Sequence, residues 1–133
     1  MSKEEKELLI KDLCGRLSYG VLVRTSVSTK PLTCEILSKI IDGKNNFIIL
    51  PYLRPMSSMT EEERKFYYGI VHIQRLEDNY EIDTPSDNPI TTIEISRIAE
   101  LMDWLNSHHF DYRGLIPMGL ALEAPKDMYA VKN

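Results

Sequence analysis

The 133-residue chain has a formal net charge of -4, with 43% hydrophobic and 27% charged residues, ordinary proportions for a globular protein. That length suits one domain, 1–133, and supplies enough apolar material for a core without disulfide or metal staples. The acidic balance argues against a broad surface for duplex nucleic acid, where phosphate neutralisation supplies most of the affinity, and no apolar run exceeds five residues, too short to span a membrane.

The N-terminal stretch MSKEEKELLIKDL has neither an apolar export segment nor a small-residue cleavage site. The expectation is a cytoplasmic protein with reduced thiols. Cys14 and Cys34 match no zinc or redox spacing and read as small buried hydrophobes. Five of the sixteen Lys and Arg precede residue 25, namely Lys3, Lys6, Lys11, Arg16 and Arg24. Glu4, Glu5, Glu7 and Asp12 are interspersed among them, which reads as a mixed solvated face.

Residues 3–16 predict a helix. Ser2 can cap it, and Glu4 and Glu5 suit its positive first turn. Ile10, Leu13, Cys14 and Leu17, with Leu9 beside them, recur at helical spacing. Residues 21–27 are rich in β-branched side chains and predict a strand, followed by a connection over 28–31. The segment 32–41 fits either period: Leu32, Cys34 and Ile36 alternate, whereas Leu37, Ile40 and Ile41 could share a helix face. The turn-rich stretch 42–46 and the apolar run Phe47–Leu50 behind it favour a strand, completing an antiparallel meander. Pro51 and Pro55 should then end regular pairing, because proline has no ladder donor.

Thr60 and Glu63 have capping-box spacing, and Glu61 and Glu62 add negative charge to the same first turn. A helix should start there and continue through Phe66 and Ile70 towards Ile73, though Gly69 weakens it and 70–73 could instead be extended. Residues 76–89 are polar and turn-rich, a surface loop with a brief extended piece at Tyr80–Ile82. A long helix should begin at Thr91, where Thr91 and Glu94 form a second capping box and Ile90 and Ile95 a hydrophobic staple. Its buried stripe would be Ile95, Ile98, Leu101, Met102 and Leu105, with Trp104 flanking it and an end near His108.

The densest cluster of chemistry follows. His108, His109, Asp111, Tyr112 and Arg113 lie within six positions. A structural account covers nearly all of them. Histidine suits a helix C-terminus, Phe110 packs inward, Asp111 caps the next segment and Gly114 permits a tight bend. Leu115, Ile116, Met118, Leu120 and Leu122 then dock on a core, and Pro125 stops the run. The functional account makes His108 or His109 a general base or metal ligand with Asp111, and Arg113 an anion clamp. Metal sites need three or four ligands, and adjacent histidines on a helix point about 100° apart. The structural account is therefore preferred, with no metal and no cofactor expected.

Neither cysteine has a histidine nearby in sequence, and no nucleophile-elbow, phosphate-loop or dinucleotide fingerprint occurs. Ser57 and Ser58 precede a helix start, where anions can bind, but capping is their simpler role. Seven tyrosines against three phenylalanines suggest amphipathic rings near the surface. Tyrosine and arginine favour interfaces, so Tyr52, Arg54, Tyr112 and Arg113 form the expected contact surface.

Two stretches, YLRPMSSMTEEE (52–63) and HHFDYRGLIPMGLALEAPKDMY (108–129), resemble an uncharacterised family of small proteins common in gut-anaerobe genomes, often in prophage-like or mobile regions. LCGRLSYGV (13–21) matches less closely, and the join DWLNSHHFDYRGL is typical of the family. Ile116-Pro117-Met118 departs from it, where a charged pair before the glycine is expected. The resemblance implies a phage or prophage setting and carries no catalytic residues.

The reading is an α+β fold, an antiparallel sheet of three or more strands packed with about three helices. Functionally it points to a non-catalytic interaction module whose partner is another protein. Two further readings stand beside it: a His- or metal-dependent hydrolase of phosphodiesters using His108, His109, Asp111 and Arg113, and a nucleic-acid binder with a local basic patch.

Overall fold

The computed structural model describes residues 1–42, 49–70 and 90–130, with the backbone alone over 90–96. It shows an α+β arrangement built on a four-stranded mixed sheet. The chain divides into two compact units, one comprising Met1–Met56 with Leu105–Asn133, the other Ser57–Trp104.

In the first unit, helix α1 (Lys3–Arg16) starts as its sequence predicts. The Ser2 hydroxyl accepts from the Glu5 amide at 3.0 Å, and the Glu5 carboxylate accepts from the Ser2 amide at 2.8 Å. That second bond holds the Glu5 carboxyl below its ordinary pKa. The buried face differs from the predicted stripe. It comprises Leu9, Asp12, Leu13 and Arg16, while Cys14 is exposed. Cys34 is exposed as well, so neither thiol is the buried hydrophobe expected. Arg16 and Asp12 likewise leave the predicted solvated face, because each is the other's partner in the interior.

A single 3₁₀ turn (Leu17–Tyr19) ends at Gly20, whose φ of 73° is a left-handed conformation that glycine adopts without a Cβ clash. Strand β1 (Leu22–Arg24) is shorter than its β-branched run. Thr25 interrupts it: its amide and hydroxyl donate to the Ser28 carbonyl, and its hydroxyl oxygen accepts from the Val27 and Ser28 amides. This side-chain turn folds the predicted connection into strand β2 (Thr29–Pro31).

Cys34–Asp42 is helix α2, not a strand. The Thr33 hydroxyl accepts from the Ile36 amide at 3.2 Å, and Ile36, Leu37 and Ile40 are buried. Thr33 read as one polar member of an alternation, but as an N-cap it starts a helix whose apolar residues then share one face. The predicted turn over 43–46, with Phe47 and Ile48, lies outside the described residues.

Strand β3 (Leu50–Leu53) runs through Pro51, which is fully buried, so regular pairing does not stop there. The register explains the tolerance. Leu50 and Pro51 pair with Arg24 and Val23 of β1, while Tyr52 and Leu53, beyond the proline, pair with Leu122 and Glu123 of strand β4. The order is β2-β1-β3-β4, antiparallel except for the β3–β4 pair, so the predicted meander is corrected to a mixed sheet. Its core gathers Leu9, Leu13, Val21, Val23, Leu53 and Leu115, with Ile36 and Ile40 from α2.

In the second unit, residues 61–70 form helix α3. Thr60 and Glu63 exchange both bonds of the predicted capping box, at 2.8 and 3.2 Å. Ile70 is helical and buried; the alternative strand over 71–73 and the predicted loop over 76–89 lie outside the described residues. Phe66 stacks on Trp104 with ring centroids 5.0 Å apart.

Helix α4 (Ile90–Ser107) ends where its spacing predicts. The Thr91–Glu94 box and the Ile90–Ile95 staple lie outside the described side chains. Of the predicted stripe, Leu105 is buried, Leu101 and Met102 are half-buried, and Ile98 is 47% exposed. Among the described side chains of α4, Leu105 and Asn106 at its end are the buried ones.

Candidate functional site

The histidine-bearing junction begins with the way α4 stops. Phe110 N–H donates to the Leu105 carbonyl at 3.0 Å, and His109 N–H to that of Asn106 at 3.1 Å. This pair of bonds is a Schellman motif, with His109 in the left-handed position that glycine usually takes. Its φ is 64°, the one positive value at a non-glycine residue among those described. The backbone then crosses to the end of β3. Arg54 N–H donates to the His109 carbonyl, and Asp111 N–H to the Arg54 carbonyl, each at 2.8 Å.

Asp111 does what its position predicts. One carboxylate oxygen accepts from the Leu115 amide at 2.8 Å and the other from the Ile116 amide at 2.9 Å. Gly114 makes the bend between them at φ 74°. Phe110, Leu115 and Leu120 are buried as expected, whereas Met118 is exposed on the turn. Residues 112–120 form turns rather than a further helix.

Beneath this junction lies a polar network that the sequence reading does not anticipate. The Asp12 carboxylate accepts from Arg16 Nε at 2.7 Å, from Arg16 Nη2 at 3.2 Å and from Arg113 Nε at 3.1 Å. Asp12 and Arg16 are fully buried; the Arg113 side chain is 27% exposed. Arg16 Nη2 also donates to the Phe110 carbonyl at 2.7 Å. The Tyr112 ring lies 4.8 Å from the Arg16 guanidinium and 5.3 Å from that of Arg113, and its hydroxyl donates to Asn106 Oδ1 at 2.8 Å. The Arg54 guanidinium sits 4.3 Å from the centre of the Phe110 ring. Two guanidinium groups stand where water would otherwise solvate a carboxylate this deep.

The two histidines go to different partners. His108 stacks beside Phe110 at 6.3 Å, with its Nδ1 3.1 Å from the Ser107 hydroxyl. His109 is 8% exposed and stacks on Tyr129 at 3.8 Å between centroids. Burial, with the charges of Arg16, His108 and Arg54, pushes the His109 pKa down to about 4. The ring is neutral at pH 7, yet its buried Nδ1 meets no hydrogen-bonding group among the described residues. A working base needs a proton within about 2.6–3.2 Å.

The residues of the hydrolase reading therefore share one region without converging on a common point. Asp111 is engaged by two amides, Arg113 by Asp12, and His109 by an aromatic face. No group of three or more His, Cys, Asp or Glu among the described residues could hold a metal ion. His72 lies outside them.

The expected contact surface is only partly assembled. Arg54, Tyr112 and Arg113 meet at the junction, and Tyr52 lies two positions before Arg54 on β3. All four are half-buried. The residues missed from sequence are Asp12, Arg16, Asn106 and Tyr129. Asp12 and Arg16 did carry a signal, since positions 9, 12, 13 and 16 share a helix face.

No helix among the described residues is long and apolar enough to cross a membrane. Comparison with protein families, with curated proteins and with solved structures finds no match to this chain.

Proposed function

We propose that the chain is a small non-catalytic interaction module whose partner is another protein. One contrast carries this reading. The ionisable side chains of the junction are spent on holding it together, while large aromatic side chains are presented to solvent elsewhere. Tyr68 is 57% exposed and Phe66 40% exposed, both on α3. Glu61, Arg64, Lys65 and Tyr68 recur at helical spacing and line an open hollow with Gly69. Aromatic and arginine side chains in such a setting are the usual anchors of protein interfaces. The contact surface is therefore drawn on α3 rather than at Tyr52, Arg54, Tyr112 and Arg113, which are all half-buried and of which the last three face Phe110, Arg16 and Asp12 in turn. The phage or prophage setting rests on the sequence resemblance alone.

Affinity capture from a bacterial lysate tests this, using the full chain beside a Phe66→Ala/Tyr68→Ala variant. Specific capture that the double variant loses supports the proposal. Turnover of a phosphodiester substrate, abolished by His109→Ala in a chain that still folds, overturns it. Salt-sensitive retention of DNA or RNA by the wild-type chain overturns it in favour of nucleic-acid binding.

A further inference from the structure

The register of β1 and β3 places Val23 opposite Pro51 and Arg24 opposite Leu50. The next pair in that register is Leu22 and Tyr52. There a side chain enters the ladder. The Tyr129 hydroxyl accepts from the Leu22 amide at 2.9 Å and donates to the Tyr52 carbonyl at 2.7 Å. The phenol occupies the place of a direct N–H···O=C bond or of a bridging water. Were the phenol to leave, the Leu22 amide and the Tyr52 carbonyl could pair directly or take a bridging water.

Besides these two bonds, the phenol is covered by the His109 ring, stacked on it at 3.8 Å with 22° between the planes. His109 is buried, its Nδ1 meets no acceptor among the described residues, and its backbone is left-handed. Among the described residues, the charges that bear on it are those of Arg16, His108 and Arg54, and the acids of the junction are engaged elsewhere. Arg16 faces it from α1, Arg54 from the end of β3, and His108 from the adjoining residue. Asp111 is turned to the Leu115 and Ile116 amides, and Asp12 to Arg16 and Arg113. A proton added to His109 would be a further buried positive charge with no carboxylate to meet it.

We propose that His109 and Tyr129 form an acid-released latch: protonation of the imidazole expels the Tyr129 ring and frees the segment after Ala124 from the sheet. A cation–π attraction to the phenol would oppose release. Desolvation and the three neighbouring cations outweigh it, since the proton affinity of the ring is lowered and not raised. Burial pushes the Tyr129 pKa up to about 12, so its hydroxyl keeps its proton and remains a donor while docked. Among the described residues after Ala124, Met128 and Tyr129 are half-buried and the others exposed. Ala124 N–H donates to the Leu53 carbonyl at 2.7 Å, and Pro125, Lys126 and Asp127 are exposed.

The test is an acid titration of the full chain, following the His109 and Tyr129 ring signals by NMR and helix content by circular dichroism. The expected result is that Tyr129 moves to the shift of a free tyrosine with the same midpoint as His109 protonation, before helix content falls. In Tyr129→Phe, which lacks the hydroxyl clasp, the His109 midpoint should rise towards the ordinary 6.5. In His109→Phe, which keeps a stacked ring that cannot titrate, Tyr129 should stay docked through the same range. His109→Asn, better suited to a left-handed backbone, provides a second non-titrating variant. Protonation of His109 with Tyr129 still docked would overturn the proposal. So would release at an unchanged pH in a non-titrating variant, or loss of helix and tail at one midpoint. Should neither variant fold, the order of events in the wild-type chain decides alone.

Discussion

Helices α1 and α3 begin alike and end up opposite. Each opens with a reciprocal capping box, Ser2 with Glu5 and Thr60 with Glu63. Yet α1 buries a carboxylate and a guanidinium, whereas α3 leaves a phenylalanine and a tyrosine in solvent. Local signals decide where a helix starts; the partners available to each side chain decide what it hides. Asp12 and Arg16 can be buried because each is the other's partner and because Arg113 and the Phe110 carbonyl add further bonds, although Arg16 Nη1 meets no partner among the described residues.

The contrast between the two helices should be most sensitive to Arg16. Arg16→Ala leaves the Asp12 charge buried with Arg113 alone and should cost about 3–5 kcal/mol in urea-induced unfolding. Replacing Asp12 and Arg16 together by leucine and methionine should recover most of that loss. If the single variant is nearly neutral, the buried pair is not what fixes α1 to the junction.

Acid should produce the next largest effect. His109 has a folded pKa of about 4 against an ordinary 6.5, so the unfolded chain takes up the proton first. Its contribution is fully present above pH 6.5 and is lost as the pH falls towards 4. At ~1.4 kcal/mol for each pKa unit the loss is about 3 kcal/mol. Urea midpoints at pH 7 and pH 4.5 should differ more for the wild-type chain than for His109→Asn.

Asp111→Ala removes the acceptor of two amides and should cost about 2 kcal/mol, with Asp111→Asn costing less. At the solvent-facing end of the comparison, Tyr68→Ala should change stability by less than ~0.5 kcal/mol while weakening partner capture. A large loss of stability there would mean that Tyr68 serves packing.

The sequence made helix starts legible wherever a short polar side chain and a glutamate stood three residues apart, as at Ser2 and Thr60. It also made the inner logic of 108–125 legible, since Phe110, Asp111 and Gly114 each have few local roles to choose from. Three things escaped. Thr33 carries no glutamate three residues on, so nothing announced the cap of α2, and the alternation of Leu32, Cys34 and Ile36 pointed the other way. Pro51 argued against a strand that the sheet accommodates through its register. Asp12 and Arg16 were lost among the other charges of α1, because burial of an ion pair depends on groups about a hundred residues away. Tyr129 had no local signal at all: its role is defined by a gap between two strands.

That remoteness has a kinetic corollary. Arg16 meets the Phe110 carbonyl across 94 positions of chain, and Asp12 meets Arg113 across 101. Closing so long a loop carries an entropic penalty that must be met before any of the contacts repays it. The first helix can nucleate early from its own cap and pack against α2, but its Asp12 and Arg16 side chains find their remaining partners only when the opposite end of the chain arrives. Refolding should therefore be slow for a chain of this size, and mutations at Asp12 should alter the rate of unfolding more than the rate of folding.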